Sequence, residues 1–166
     1  MTDLLKVISN ESKAEIDKWI AKFPEDKKQS AIIPALTIVQ KQNAGSLNVE
    51  LMDAVATYLN VPRISVYEVA TFYSMFEHKK VGKHKLCICT NISCMLRGSE
   101  ELADYLKEKL GVDYGQVTEC GKFSIKPVEC LGACVNAPVM QVEDKYYENL
   151  SKEKIDAIVD ELSENK

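Results

Sequence analysis

Several features that mark specialised classes of protein are missing from this sequence. The longest apolar run, AIIPALTIV at 31–39, is far shorter than the about 20 residues of a membrane-spanning helix, and it contains a proline. The first residues, MTDLLKVISNESK, have no basic stretch followed by an apolar one, so they predict no secretory signal. No basic stripe with interleaved aromatic residues occurs in this chain of net charge −4, which argues against a nucleic-acid partner.

Motifs for a substrate site are also missing. Neither G-x-G-x-x-G nor G-x-x-x-x-G-K-[ST] occurs, so nothing indicates a nucleotide site. No Ser-His-Asp or Cys-His arrangement predicts a catalytic nucleophile, and no C-x-x-C predicts a thioredoxin-like dithiol. Histidine is scarce, and neither His78 nor His84 is spaced with the cysteines as a Rieske centre requires. We therefore expect no catalytic residue in this chain.

What the sequence does contain is a globular composition and six cysteines. Its 166 residues are 46% hydrophobic and 28% charged, which suits one ordinary domain or two small ones of about 80 residues each. Without a secretory signal, we expect a reducing compartment. There, cysteines more often serve metal or redox chemistry than structural disulfides.

The first half of the chain is predicted to be a helical bundle domain, residues 1–77, built from four short amphipathic helices. Asn10 is the predicted N-cap of the first helix, and Pro34 predicts a kink or late start in the second. Asn48 is the predicted cap of the third. A capping box of Ser65 with Glu68, and a staple of Ile64 with Val69, are predicted for the fourth. The apolar stripe of the first helix, expected to lie in the core, is Ile16, Trp19, Ile20 and Phe23.

After a lysine-rich linker at 78–85, the spacing of apolar residues changes from the helical period, and residues 86–166 are predicted to form an α/β domain. KLCICT and KFSIKPVEC predict strands, and PVMQV with KYYE predicts a hairpin. Ser99 is the predicted cap of one helix, which ends at Gly111, and Ser151 is the predicted cap of the last. The order β–α–β–β–β–α is the plan of a small thioredoxin-like α/β sandwich.

Two cysteine pairs follow the first two predicted strands. Cys89 and Cys94 are spaced C-x4-C in CTNISC, and Cys130 and Cys134 are spaced C-x3-C in CLGAC. Because ligand sites in α/β sheets cluster at the carboxyl ends of neighbouring strands, we expect the two pairs to converge, although 35 residues lie between them.

These spacings favour a [2Fe–2S] cluster without excluding zinc or unpaired redox thiols. Zinc sites usually use C-x2-C or similar tight spacings, whereas two bridged irons need thiolates spread over a longer body. The cluster is negatively charged, so the helix N-terminus after Cys94 suits it. Gly132 allows backbone amides to point at sulfur.

Three residues near these motifs have other expected roles. Cys87 lies inside the first strand and is predicted to be a small core residue. Cys120 precedes Gly121 in a predicted turn and is expected to be a peripheral thiol. Arg97 lies beside the cluster loop, where it either contacts a partner or affects the potential of the cluster.

Three stretches together resemble a known family: PRISVYEVATFYSMF at 62–76, CTNISCMLRGSEE at 89–101 and VECLGACVNAPVMQV at 128–142. They are similar to the small [2Fe–2S] subunit, often called the E chain, of bacterial and mitochondrial NADH:quinone oxidoreductase, respiratory complex I. IIPAL and MDAVATYL match as well, so the resemblance covers most of the chain. It implies a helical N-terminal segment followed by a thioredoxin-like [2Fe–2S] ferredoxin domain. The ligands it implies are Cys89, Cys94, Cys130 and Cys134.

The resemblance also implies partners. It implies a larger flavoprotein subunit that binds NADH and FMN, with the cluster of this chain close to the flavin and off the main route to quinone. The chain would then be an electron-carrying part of an oxidoreductase, held at the cytoplasmic face of the inner membrane through other subunits. The same module recurs in NAD-linked hydrogenases and formate dehydrogenases, so these assemblies stay open. VYEVATFYSMF is interpreted either as a docking helix for the flavoprotein or as bundle core.

Overall fold

The computed structural model describes residues 4–164 and shows a mixed helix and sheet architecture. The chain divides into two compact units, Met1–Lys80 and Val81–Lys166. The predicted domain limits, 1–77 and 86–166 around a linker at 78–85, stay a prediction. No helix among the described residues has the length and apolar character needed to cross a membrane.

The first unit consists of helices around one apolar core. Its α-helices are α1 (Asn10–Ile20), α2 (Ile32–Gln42), α3 (Val49–Leu59) and α4 (Arg63–Phe72), and 3-10 helices cover Leu4–Val7 and Glu25–Ala31. All four α-helices contribute side chains to the core. Its fully buried members include Ile16, Ile32, Leu36, Val39, Val55, Leu59, Val66 and Ala70.

Two of the predicted helix starts in this unit are confirmed. Asn48 caps α3, because its Oδ1 accepts a hydrogen bond from the Leu51 N–H at 2.8 Å. The second helix starts late, as predicted: a 3-10 helix occupies Glu25–Ala31 before α2 begins at Ile32. Pro34 then lies in the first turn of α2. A backbone N–H in this turn has no acceptor within the helix, so proline, which lacks the N–H, removes no helical hydrogen bond there.

Other predictions for this unit are wrong. The cap of α1 is Ser9, whose Oγ accepts from the Ser12 N–H at 3.1 Å, so Asn10 is the first helical residue. Trp19 is 37% exposed instead of in the core, and the Lys22 ammonium lies 3.6 Å from its ring centroid.

The predicted capping box and staple of the fourth helix are also wrong. Because α4 starts at Arg63, after Pro62, Ser65 lies inside its first turn and cannot act as the N-cap. The Ser65 N–H instead donates to the Pro62 carbonyl at 3.1 Å. Ile64 is 61% exposed, so it forms no buried staple with Val69.

The second unit has the predicted order of strands and helices, with one short helix added. Its strands are β1 (His84–Cys89), β2 (Phe123–Val128), β3 (Met140–Val142) and β4 (Lys145–Tyr147). The helices are the one-turn α5 (Ile92–Met95), then α6 (Ser99–Leu110) and α7 (Lys152–Glu164), and a 3-10 helix covers Cys134–Asn136.

Of the two caps predicted for the long helices in this unit, one is confirmed and one is wrong. Ser151 caps α7, since its Oγ accepts from the Lys154 N–H at 3.3 Å. The predicted cap of α6 is wrong by one residue: Gly98, with φ 86°, precedes the helix, and Ser99 is its first residue. The predicted end of α6 at Gly111, in the left-handed conformation, is confirmed.

The sheet places the ends of β1 and β2 side by side. Its order is β2-β1-β3-β4, with β1 parallel to β2 and antiparallel to β3. Helices α6 and α7 share one apolar core with the strands, formed by Leu86, Ile88, Leu102, Leu106, Ile125, Met140, Ile155 and Ile158 among others. The two strands that end at the cysteine loops are thus held rigidly together.

Candidate metal centre

The first cysteine lies at the end of the central strand. Cys89 is the last residue of β1 and pairs in register with Val128, the last residue of β2. The two strand ends stay joined beyond the ladder, because the Thr90 N–H donates to the Val128 carbonyl at 2.9 Å. The buried Cys89 thiol also donates to the carbonyl of Glu129, the residue before Cys130, at 3.4 Å. The predicted arrangement of two cysteine loops at neighbouring strand ends is therefore confirmed.

Cys94 lies in the one-turn helix α5 rather than in an open loop. Asn91 starts this helix, with its Oδ1 accepting from the Ile92 N–H at 2.7 Å. Cys94 is buried in a small apolar cluster with Cys89, Ala137 and Val139.

This burial, together with the neighbouring Cys89 and Cys134 sulfurs, raises the pKa of Cys94 to about 11, although a backbone hydrogen bond at Val139 opposes the rise. Cys94 is therefore a neutral thiol at pH 7, and it would have to release this proton to act as a thiolate ligand.

Cys130 and Cys134 form the second pair, and both are exposed. Their Sγ atoms lie 3.8 Å apart. Two thiolates on one tetrahedral ion, each about 2.3 Å from it, are about 3.8 Å apart as well. Gly132, with φ 78°, turns the loop so that its N–H donates to the Cys130 Sγ at 3.3 Å. This is the amide-to-sulfur contact that the glycine predicted.

The four cysteines lie as two pairs, with Cys94 next to Cys89 and Cys130 next to Cys134. Among residues 4–164, no three or more His, Cys, Asp or Glu side chains are arranged to hold one metal ion. Instead the cysteines lie as one pair from β1 and α5 and another from the loop after β2. Cys134 still lies close enough to Cys94 to affect its pKa. A donor set of two linked cysteine pairs suits a group that contains two metal ions.

The remaining candidate ligands are engaged elsewhere in the chain. His84 Nδ1 lies 3.1 Å from a Glu143 carboxylate oxygen, and His78 Nε2 lies 2.9 Å from the Ala70 carbonyl. Cys87 is inside β1, opposite Lys126 of β2 and Gln141 of β3. Cys120 is exposed in a turn, and hydrogen bonds, above all from the Thr118 hydroxyl, lower the pKa of its thiol.

The sequence did not indicate two contacts that support the site. The Val139 carbonyl accepts from the Cys89 N–H at 3.0 Å, which extends the β1–β3 pairing by one residue to the cysteine. Arg97 Nη1 donates to the Ala137 carbonyl at 3.3 Å, just before the cis peptide between Ala137 and Pro138. The hairpin predicted for PVMQV and KYYE did not indicate the contact of Val139 with Cys89, and no sequence pattern indicated the Arg97 contact.

Comparison with known proteins decides which cofactor this chain holds. The model of the thioredoxin-like [2Fe–2S] ferredoxin family matches residues 16–163. The chain belongs to this family. Its cofactor is accordingly a [2Fe–2S] cluster, and a donor set of four cysteines in two pairs fits such a group.

Relatives of this ferredoxin-family chain include components of respiratory enzymes. It is 50% identical to the E subunit of the NADH-quinone oxidoreductase of Rickettsia bellii, over 86% of each chain. It is 40% identical to the mitochondrial NADH dehydrogenase [ubiquinone] flavoprotein 2 of Dictyostelium discoideum, over 95% of this chain and 64% of that protein.

A solved structure supports the fold alone. An NAD+-reducing [NiFe]-hydrogenase in its air-oxidised state matches with a TM-score of 0.68 at 18% identity, over 80% of this chain. This ferredoxin-family chain spans 22% of the length of that hydrogenase chain.

Proposed function

We propose that this chain is the electron-transfer subunit of an NADH:quinone oxidoreductase, with one [2Fe–2S] cluster close to the FMN of a partner flavoprotein. The observation that carries the proposal is the 50% identity to the rickettsial NADH-quinone oxidoreductase component over 86% of both chains. The partner binds NADH, and the complex holds this chain at the cytoplasmic face of the inner membrane. The chain itself carries electrons and has no substrate site of its own.

The ligands of the cluster in this proposal are Cys89, Cys94, Cys130 and Cys134. Their support is the pairing of two strand ends, the 3.8 Å separation of Cys130 and Cys134, and the amide of Gly132 directed at sulfur. When bound, the cluster supplies one-electron redox chemistry. The residues of the chain hold the thiolates, bury Cys89 and Cys94, and leave Cys130 and Cys134 facing outward.

Exposed apolar side chains in the two cysteine segments, which we call the apolar rim, support approach of a partner. Leu96 is 77% exposed and Val135, next to Cys134, is 87% exposed; Ile92 and Met95 are exposed as well. Large exposed apolar side chains grouped on one surface mark protein interaction sites. Burial of this rim by the flavoprotein would bring the flavin near the cluster and exclude water from it.

The N-terminal unit also belongs to the proposal, as a four-helix bundle that docks the flavoprotein. The residues at the end of α4 favour docking over a core role: Phe72 is 80% exposed, and Tyr73 and Met75 are exposed too. The inward side of α4, with Val66 and Ala70 fully buried, holds the helix on the bundle.

Substitution of single cysteines tests the ligand set. Cys→Ser variants at positions 89, 94, 130 and 134 should each lose or alter the electron-spin-resonance signal of the reduced cluster, because serine replaces a thiolate ligand. The matched controls are the same substitution at Cys87 and Cys120, which should leave the signal unchanged. A wild-type signal from any of the first four variants would remove that cysteine from the ligand set.

Co-purification with partner subunits tests the proposed function. The full chain, affinity-tagged and isolated gently from its own cells, should bring down a flavin-containing subunit. NADH should then reduce the cluster within that complex, whereas NADH should not reduce the cluster of the isolated chain. A preparation with a loaded cluster but no flavin, or no reduction by NADH, would contradict the proposal.

The fold likeness to an NAD+-reducing hydrogenase favours one alternative, an equivalent subunit of a hydrogenase or formate dehydrogenase. The same purification separates the two, since quinone reductase activity or hydrogenase activity would accompany the flavin. A structural zinc module is the alternative of another class, and metal analysis decides it.

A further inference from the structure

Arg97 occupies a fixed position between two cysteine turns. It lies three residues after Cys94, between α5 and α6, and its backbone N–H donates to the Cys94 carbonyl at 3.1 Å. Gly98, in the left-handed conformation, then directs the chain into α6. The turn that carries Cys94 therefore determines where the Arg97 side chain begins.

The side chain of Arg97 reaches the turn that carries Cys134. Its Nη1 donates to the Ala137 carbonyl at 3.3 Å, and the Ala137 N–H donates to the Cys134 carbonyl at 3.3 Å. Ala137 is buried and packs in the same apolar cluster as Cys89 and Cys94. One guanidinium thus connects segments that contribute cysteines from both pairs.

Arg97 also carries the only positive charge in these segments. Across residues 89–98 and 128–142, it is the one cation and Glu129 is the one anion. A guanidinium stays protonated at every working pH. Four thiolates and two sulfides outweigh the charge of two ferric ions, so the cluster is negative and becomes more negative on reduction. A nearby positive charge therefore stabilises the reduced state more than the oxidised state.

We propose that Arg97 is a positioning residue that joins the Cys94 and Cys134 turns and raises the reduction potential of the cluster. The inference rests on the proposed ligand set of Cys89, Cys94, Cys130 and Cys134. A residue of this chain, and not only the partner flavoprotein, then influences how readily the cluster accepts an electron.

The test is a dithionite titration of the full chain with its cluster, followed by electron spin resonance, on wild type and Arg97→Gln. The variant should keep its iron and sulfide content, and its midpoint potential should fall. The shift should correspond to about a threefold or greater loss in the equilibrium constant for reduction. The control is Lys107→Gln, which also removes a cation but lies about 12 Å along α6 from the first residue of that helix. It should leave the potential unchanged.

A conservative variant separates charge from folding. Arg97→Lys keeps the positive charge, so its potential should stay close to that of wild type. Amide exchange at Ala137 and Val139 should nevertheless rise in both variants, because neither Gln nor Lys has the planar fork of the guanidinium. If Gln prevents cluster loading and Lys permits it, the potential of Arg97→Lys decides: a value close to that of wild type supports the proposal, and a clearly lower one contradicts it.

Three results would overturn the inference. These are an unchanged potential in Arg97→Gln, an equal shift in Lys107→Gln, or loss of the cluster from both Arg97 variants. Each leaves the proposed function intact, because that function fails only if wild type holds no [2Fe–2S] cluster or does not receive electrons from NADH.

Discussion

Gly82 shows, at the scale of single residues, how closely the second unit is packed. A Cβ atom at this position would overlap the backbone of Phe123, the first residue of β2. The Gly82 N–H also donates to the buried Ser124 Oγ at 3.0 Å. The chain entering β1 therefore passes β2 at a distance that only glycine permits.

Replacing Gly82 by alanine should lower the free energy of unfolding by about 1–3 kcal/mol, since the backbone of β2 must move. The control is Gly115→Ala, where φ is 74° and the space is open. Backbone strain alone should cost about 1 kcal/mol there. Urea unfolding followed by circular dichroism measures both variants. An equal cost for the two would show that the close approach to Phe123 contributes nothing.

Single residues also show where sequence reasoning reaches its limit. The placement of the cysteine pairs after two neighbouring strands and the contact of the Gly132 amide with sulfur were predictable, because spacing and residue type indicate both. The exposure of Trp19 was not, because its position on the helical stripe says nothing about how far the core extends. Arg97 could not be assigned a contact, since its partner is a backbone carbonyl 40 residues away in the chain.

At the scale of helices, caps and cross-helix hydrogen bonds hold the first unit together. Ser9 begins α1 in the structure, although Asn10 also has a good capping side chain. Sequence alone cannot choose between adjacent polar residues, because the choice depends on which one has extended backbone angles. The same limit applies to Gly98 and Ser99 at α6.

Alanine substitution tests the corrected cap. Ser9→Ala should lower the free energy of unfolding by about 1 kcal/mol, because the Ser12 N–H loses its acceptor. Asn10→Ala is the matched control and should change it by less than about 0.5 kcal/mol. Trp19 is the only tryptophan, so its fluorescence during urea unfolding reports on this unit. If Asn10→Ala lowered the free energy of unfolding more than Ser9→Ala does, Asn10 would be the cap instead.

Tyr58 links α3 to α1, because its hydroxyl donates to Asp17 Oδ1 at 2.8 Å. Burial and this hydrogen bond raise the pKa of Tyr58 to about 12, from an unfolded value near 10. A raised pKa means that the stabilisation is fully present below pH 10 and is lost as the pH rises through 12. We expect wild type to be more stable than Tyr58→Phe at pH 8, with the difference shrinking between pH 10 and 12. Urea unfolding by Trp19 fluorescence at each pH measures this, and a difference independent of pH would refute it.

At the scale of the whole chain, the order of elements and the pairing of the first two strands were predictable, and the register was not. The change from a helical to an alternating period after residue 85 predicted a strand there, and β1 begins at His84. The parallel pairing of β1 with β2 follows from the helices between them. The register that sets Cys89 opposite Val128 depends on packing across the sheet, which a single sequence does not contain.

Removal of the cluster should affect the second unit alone. Without metal, the cysteine loops lose their cross-link, so amide exchange should rise in residues 89–98 and 128–139. Residues 32–72, in α2 to α4, should exchange as before, because their core contains none of the four cysteines. Hydrogen–deuterium exchange of the chain before and after chelation of the iron measures this. Equal loss of protection in residues 32–72 would show that the cluster stabilises the first unit as well.

The central claim is that the four cysteines hold two irons bridged by two sulfides. Metal and acid-labile sulfide analysis of the full chain, purified without oxygen, tests it most directly. The account predicts two irons and two sulfides per chain, lost in the Cys89→Ser and Cys130→Ser variants. One zinc per chain with no sulfide would contradict it.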